Sequence, residues 1–304
     1  MIDFDLITEG LEFPEGPVWM EDGSVIVTEV AAGRITRVLP DGRKHVVATP
    51  GGGPNGLAVG PDGALYLCNN GGMICFNVDG QTMTSGEAVD DYETGRIERI
   101  DLATGKVERL YDKVDGRRLA GPNDIVFDSH GGFWFSDLGK RRGHITEAGG
   151  IFYAKADGSA ITRVVDQMAV NGIGLSPDAK TLYGALSHDR HLVAFDVVVP
   201  GELATGGMIP GRVLTSFPGR QLLDSLAVTA DGHICVATVF EEFGIATVDP
   251  RSGDYRLSAF PDLLTTNICF GGSDMQDAWI TLSATGRLVK TRWERPGLRL
   301  AHYV

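Results

Sequence analysis

Six polar residues recur along the chain, each opening a short apolar segment of the kind that forms a β-strand. They are Glu15, Asn55, Asn123, Asn171, Asp224 and Asn267. The chain has seven asparagines in all, and four of them occupy this recurring position. Because asparagine is disfavoured within strands, local propensity does not explain the pattern. Carboxylate and amide oxygens are hard donors, so a site that gathered these residues would suit Ca²⁺, Mg²⁺ or Mn²⁺.

A structural role is the alternative for these residues. Their amides could bond nearby loop backbone or hold ordered water, and that would account for one or two of the six positions. The metal interpretation also accounts for Glu15 and Asp224, whose two negative charges would offset a divalent cation and would repel each other without one. We therefore expect one bound divalent metal ion.

The elements that position these residues are visible as a repeat. The spacings between successive opening residues are 40, 68, 48, 53 and 43, and the residue seven places later is Asp in five of six copies. Gly follows that residue in four copies, and Asp-Gly between two β-rich runs is a strong hairpin signal. Six units of about 50 residues predict an all-β fold, a six-bladed β-propeller with a central channel. We expect residues 1–304 to form this single domain, with the segments 2–6 and 298–304 helping to close the ring.

Three polar segments lie outside the repeat and are predicted to be long loops. They cover residues 76–94, 111–120 and 140–149. Long loops in propellers crowd the face where the channel opens, so these are candidate substrate walls. The alternative is that these segments are simple solvated loops.

Composition and charge exclude several partner classes. The chain of 304 residues carries a formal net charge of −13, which repels phosphate backbones and anionic lipid. We therefore expect no nucleic acid and no membrane partner. The N-terminus has no secretory pattern, and the four cysteines lack Cys-x-x-Cys spacing, so a cytoplasmic protein with reduced thiols is expected. The sequence leaves the oligomeric state open.

Several motifs in blade order carry a family resemblance. They are Pro14–Trp19, Asn55–Leu57, Pro122–Val126, Phe133–Asp137, Asn171–Ile173, Asp224 with Asp231-Gly232, and Thr266–Gly272. On these residues the sequence, from about position 11 to 292, resembles the senescence-marker-protein/gluconolactonase/luciferin-regenerating-enzyme family of six-bladed propellers. The resemblance implies that Glu15, Asn123, Asn171 and Asp224 hold one divalent cation in the channel. It also implies a hydrolase, most often a lactonase.

The sequence departs from the family pattern before the third blade. Many members have Asn-Ser or Asn-Arg where this chain has Ala120-Gly121, so the polar contacts that those positions give a sugar lactone are not expected. Lactone opening by metal-activated water is the predicted reaction. Hydrolysis of a phosphotriester or another ester at the same site is an alternative, and a non-catalytic propeller that binds a ligand or protein is another. Calcium is the first expectation for the metal, with magnesium, manganese, zinc and ferrous iron left open.

Each candidate residue has a predicted role in this reaction. Asp224 would touch the metal and accept a proton from the attacking water. Asn123 and Asn171 would orient the carbonyl and donate to the developing oxyanion. The predicted substrate-facing residues are Asn55, Asn267, Asp137 and Arg118. Asp137 could act by orienting its neighbours or be a satisfied structural carboxylate, and Arg118 could grip a substrate carboxylate or be surface charge.

Overall fold

The computed structural model describes residues 2–204 and 210–302, and all regular structure in these ranges is β-strand. No helix there is long and apolar enough to cross a membrane. The strands in chain order are β1 (Asp5–Thr8), β2 (Pro14–Trp19), β3 (Val25–Glu29), β4 (Arg34–Val38), β5 (Lys44–Ala48), β6 (Pro54–Val59), β7 (Leu65–Asn69), β8 (Met73–Val78), β9 (Gln81–Ala88), β10 (Arg96–Ile100), β11 (Val107–Tyr111), β12 (Lys113–Val114), β13 (Arg117–Arg118), β14 (Pro122–Phe127), β15 (Gly132–Asp137), β16 (Lys140–Arg142), β17 (Ile145–Glu147), β18 (Gly150–Lys155), β19 (Ile161–Asp166), β20 (Val170–Leu175), β21 (Thr181–Leu186), β22 (His191–Val199), β23 (Glu202–Leu203), β24 (Arg212–Ser216), β25 (Gln221–Val228), β26 (Ile234–Phe240), β27 (Gly244–Val248), β28 (Tyr255–Ala259), β29 (Thr265–Gly271), β30 (Asp277–Leu282) and β31 (Arg287–Arg292).

Six antiparallel sheets form the blades of a ring, which confirms the predicted six-bladed propeller. The blades are β2–β3–β4–β5, β6–β7–β10–β11, β14–β15–β18–β19, β20–β21–β22–β24, β25–β26–β27–β28 and β29–β30–β31–β1. The first strand of each blade contacts the first strand of the next, and β29 contacts β2, so the ring closes. Every predicted opening residue lies in the first strand of its blade.

The two chain ends have different positions. The N-terminal strand β1 pairs with β31, with Leu6 opposite Val289, so it completes blade 6 as predicted. Residues 298–302 instead cross the end of the channel remote from the opening residues, and the last two positions of the predicted closing segment, 303–304, lie outside the described residues. Leu298 N donates to Val228 O at 2.8 Å, and Leu300 to His302 line a cavity of about 100 Å³ there.

Apolar side chains fill the spaces between blades. Phe133 and Phe135 of β15 pack between blades 2 and 3, whereas Trp134 between them packs between blades 3 and 4. Successive side chains of a strand point to opposite faces, and each face meets a neighbouring blade. Both faces of β15 are therefore apolar, and burial of each such ring stabilises the fold by about 1.5–3 kcal/mol.

Every first strand has a register irregularity at its opening residue. In blade 2, Pro54 pairs with Asn69 and Leu57 with Leu67, so Asn55 and Gly56 together oppose one residue. Such a β-bulge bends the strand and re-aims a side chain. At Gly56 an added Cβ would lie 2.4 Å from the backbone oxygen of Asn123 in blade 3. Glycine at the bulge therefore lets neighbouring first strands approach closely around the channel.

The three predicted loops contain hairpins, so that prediction was wrong. Strands β8 and β9 pair, β12 pairs with β13, and β16 pairs with β17. Strand β9 also pairs in parallel with β16, which joins the first and third hairpins into one accessory sheet. Asp79 and Gly80 connect β8 to β9 with φ of 50° and 84°, the two-residue Asp-Gly turn that favours a hairpin.

Candidate metal centre at the channel mouth

The six opening residues lie together at one end of the channel, which we call the mouth. The first strands are neighbours in the ring and all begin at this end, so their opening residues form a circle. Five of the six side chains are buried and Asp224 is partly exposed. The structure thus brings together the set that the sequence pattern selected.

Three amide oxygens in this circle have no hydrogen-bond partner. They are the Oδ1 atoms of Asn55, Asn123 and Asn171, all buried within the part of the chain that the structure describes. A buried carbonyl oxygen without a partner costs about 1–3 kcal/mol. Three such oxygens beside two carboxylates form a hard-oxygen donor set, which fits a divalent cation such as Ca²⁺. Across residues 2–204 and 210–302 no group of three or more His, Cys, Asp or Glu could hold a metal, so this site depends on its amides.

The two carboxylates of the circle both have raised pKa values. Glu15 Oε2 accepts hydrogen bonds from Asn267 Nδ2 at 2.9 Å and Gly16 N at 3.0 Å. Burial nevertheless raises the pKa of Glu15. Burial also raises the pKa of Asp224 well above its ordinary value, and the charge of Glu15 raises it further. A bound cation would favour the ionised form of both groups.

Asp124 is a third buried carboxylate at this site, and the sequence reasoning did not select it. Burial raises the pKa of Asp124 to about 7, and the Glu15 charge contributes in the same direction. Its Oδ1 accepts a hydrogen bond from Ile125 N at 2.9 Å. The signal that could have found it is its charge, because Asp124 is the one ionisable residue at the position after the opening residue, where three other blades have Gly16, Gly56 and Gly172.

Asn55 and Asn267 have surroundings that differ from the predicted substrate-facing roles. Both polar atoms of Asn267 are engaged, since Nδ2 donates to Glu15 and Oδ1 accepts from Ile268 N at 2.8 Å. Asn267 therefore positions Glu15. Asn55 presents one of the three unpaired oxygens and belongs with the candidate metal donors.

Asp137 and Arg118 also bond to the protein itself. Asp137 accepts hydrogen bonds from Ala120 N at 2.9 Å and Gly121 N at 2.8 Å, which fixes the segment that leads into Asn123. Arg118 lies in the hairpin β12–β13, forms a two-pronged ion pair with Glu147, and donates to the backbone oxygen of Glu93 at 3.0 Å. These hydrogen bonds use all three nitrogen atoms of the guanidinium. The side chain is therefore bound to the protein and is not directed at a substrate.

The closed ring of six antiparallel sheets places this chain in the class of six-bladed β-propellers. Comparison with known proteins gives the family. The chain belongs to the SMP-30/gluconolactonase/LRE-like family, whose model matches residues 13–284.

Named relatives match over part of their length. A lactonase, drp35, of Staphylococcus saprophyticus is 28% identical over 240 residues, which is 77% of this chain and 65% of that protein. A gluconolactonase of Zymomonas mobilis is 24% identical over 200 residues, which is 59% of this chain and 50% of that protein. The matched part of this chain thus spans less than two thirds of either relative.

Solved structures resemble this one over nearly its whole length. A calcium-binding protein, regucalcin, of Agrobacterium tumefaciens covers 98% of both chains with 21% identity and a TM-score of 0.74. A gluconolactonase of Xanthomonas campestris covers 96% of this chain and 88% of its own, with 23% identity and a TM-score of 0.74. At these identities the likeness establishes the fold.

Proposed function

We propose that this chain is a divalent-metal-dependent hydrolase that opens lactones at the channel mouth. The observation that carries the proposal is the set of three unpaired buried amide oxygens beside Glu15 and Asp224. The family and the relatives named lactonase and gluconolactonase support the choice of a cyclic ester as substrate.

The residues that would hold the cation are Glu15, Asn123, Asn171 and Asp224, and the unpaired oxygen of Asn55 adds a fifth donor. Only oxygen donors are present in this set, which favours calcium, magnesium or manganese over zinc. The calcium-binding protein of Agrobacterium with the same fold supports calcium. When bound, such a cation supplies Lewis acidity to the ester carbonyl and lowers the pKa of a coordinated water.

Three side chains of the site would accept the proton, orient the base and stabilise the developing charge. Asp224 is the one residue of the circle that is partly exposed, and in its ionised form its carboxylate would accept the proton of an attacking water. The Asn171 amide donates a hydrogen bond to Asp224 and thereby orients the base. The Asn123 amide is then the donor for the developing negative charge on the ester oxygen, an interaction worth about 3–4 kcal/mol.

Elemental analysis combined with a pH-stat assay tests the proposal. We expect about one divalent ion per chain and opening of δ-lactones that stops when a chelator is added. Asp224→Asn should abolish turnover with little change in melting temperature, whereas Asp79→Asn, on an exposed hairpin turn, should match the wild type. Metal without lactone opening would favour phosphotriester substrates. A protein with neither metal nor turnover would contradict the proposal.

A further inference from the structure

An apolar cluster borders the candidate metal centre on the side of blades 5, 6 and 1. We call it the mouth cluster; it comprises buried Phe13, Val30, Val239, Leu264 and Ala284 with partly buried Met73, Met83, Leu222 and Leu263. Leu222 lies two residues before Asp224 in β25, and both are partly exposed while Leu223 between them is buried. Leu222 lies just before the bulge of β25 that contains Asp224, so a partly exposed apolar residue precedes the carboxylate of the candidate centre by two positions along this strand.

The hairpin β8–β9 extends this apolar surface. It leaves blade 2 and reaches blade 6, where Thr82 N donates to Ala284 O at 2.8 Å. Phe76 is directly opposite Met83 in the hairpin, so the two side chains lie on one face. Ile74, Phe76 and Val78 alternate along β8 and are 40%, 46% and 47% exposed. The face that carries Met83 thus presents an open row of apolar side chains that continues from the mouth cluster.

The polar groups on the side of blades 2 and 3 are already bonded to the protein. Lys140 is buried, and its Nζ donates to Asn70 Oδ1 at 3.2 Å and Gly72 O at 3.0 Å. Tyr92 donates its hydroxyl to Ala120 O at 2.6 Å. Ala120 and Gly121, which precede the site residue Asn123, add no polar side-chain atom. Hydroxyl groups on a substrate would find few free partners here, whereas an alkyl or aryl group would find contact area.

We infer that the substrate carries an apolar alkyl or aryl substituent, which lies against Met83, Phe76 and Leu222 while its ester group is at the metal centre. This inference rests on the proposed function and names the substrate class of that site. Aligned apolar side chains that remain exposed mark a binding surface, and methionine adapts to ligands of different shape. Met83, Phe76 and Leu222 are then specificity residues, and polyhydroxylated sugar lactones are poor substrates.

Three δ-lactones with the same reacting ring test the inference on the full-length, metal-loaded protein. They are unsubstituted δ-valerolactone, pentyl-substituted δ-decalactone and δ-gluconolactone. We expect kcat/KM for δ-decalactone to exceed that for δ-valerolactone about tenfold or more, since each CH₂ that is buried adds to binding, and δ-gluconolactone to be the slowest. A higher kcat/KM for δ-gluconolactone than for δ-decalactone would overturn the inference and leave lactone hydrolysis intact.

Substitutions in the hairpin β8–β9 test whether the apolar substituent binds there. Met83→Gln and Phe76→Ser should each reduce the δ-decalactone to δ-valerolactone ratio several-fold. Val46→Ser is the matched control, because Val46 is 59% exposed on β5, an outer edge strand of blade 1. It should leave the ratio unchanged. A ratio that is the same in the wild type and both hairpin variants would refute the assignment of these residues.

A binding measurement separates this inference from the proposed reaction. Calorimetry with two lactams that resist hydrolysis, piperidin-2-one and 6-pentylpiperidin-2-one, should give about tenfold tighter binding of the pentyl compound, and Phe76→Ser should remove the difference. That result without any lactone turnover would contradict the proposed function and support the apolar subsite. Equal affinities for the two lactams would overturn the subsite whatever the turnover.

Discussion

Asp124→Asn should change how the stability of the metal-free protein depends on pH. The folded pKa of Asp124 is about 7 against an ordinary value of 3.8, chiefly because the carboxyl is buried. The folded state therefore keeps its proton to a higher pH than the unfolded chain does. The stabilisation from this proton is present at low pH and is lost as the pH rises through about 7.

The magnitude follows from the two pKa values. Between pH 5 and pH 8 this single carboxyl lowers the free energy of unfolding by about 2.5 kcal/mol. For a chain of this size that corresponds to a fall of about 4 °C in melting temperature. Asparagine cannot ionise, and it keeps the Oδ1 acceptor for Ile125 N. The melting temperature of the variant should therefore fall by about 4 °C less than that of the wild type over this pH interval.

Thermal unfolding followed by circular dichroism in the presence of a chelator measures both profiles. Asp79→Asn removes the same formal charge at an exposed turn and should follow the wild-type profile. Parallel profiles for wild type and Asp124→Asn would refute the reasoning, because they would mean that Asp124 does not hold a proton near neutral pH in the folded state.

Three further predictions follow from the site and the ring. Glu15→Gln should weaken metal binding at least about tenfold by calorimetry, since it removes one of two charges at nearly constant shape; unchanged affinity would remove Glu15 from the donor set. Gly56→Ala should lower the free energy of unfolding by about 3 kcal/mol in a urea titration, because the added Cβ meets the backbone oxygen of Asn123 at 2.4 Å. Arg118→Ala should leave kcat/KM for lactones within about twofold, because Glu147 and Glu93 already occupy the guanidinium; a large loss would restore its predicted role at the substrate.

The sequence was sufficient to predict the ring and the circle of polar residues. The reason is the bulge that recurs in every first strand, which requires the same local sequence each time and so leaves a repeat. Asn55, Asn123 and Asn171 could be selected from this position alone. Their unpaired oxygens could not, because hydrogen-bond satisfaction depends on neighbouring blades that are far away in the sequence.

The hairpins at the mouth were missed although their signals are present. Asp79-Gly80 and Asp115-Gly116 both have the positive φ angles of the two-residue turn, the same dipeptide that marks the blades. The polar composition of these segments instead favours a prediction of loops. The contact of β9 with β16 joins segments more than 50 residues apart, and no local pattern encodes such a pairing.

Arg118 shows a second limit of prediction from the sequence, which concerns the partners of charged side chains. The sequence predicts that Arg118 faces the substrate, but its guanidinium is paired with Glu147, which lies in another hairpin. Charge in the sequence indicates what a side chain can bind, and only the tertiary structure decides whether a protein group has already bound it.

The pairing of β1 with β31 has a consequence for synthesis of the chain. Asp5 pairs with Lys290, and a ribosome adding about 5–20 residues per second needs roughly 15–60 s to produce the residues between them. During that time the N-terminal strand has no partner, and the earlier blades can form while the last one cannot. Completion of the propeller is therefore the final event of folding, because the last blade closes only when β31 has been made and can pair with β1.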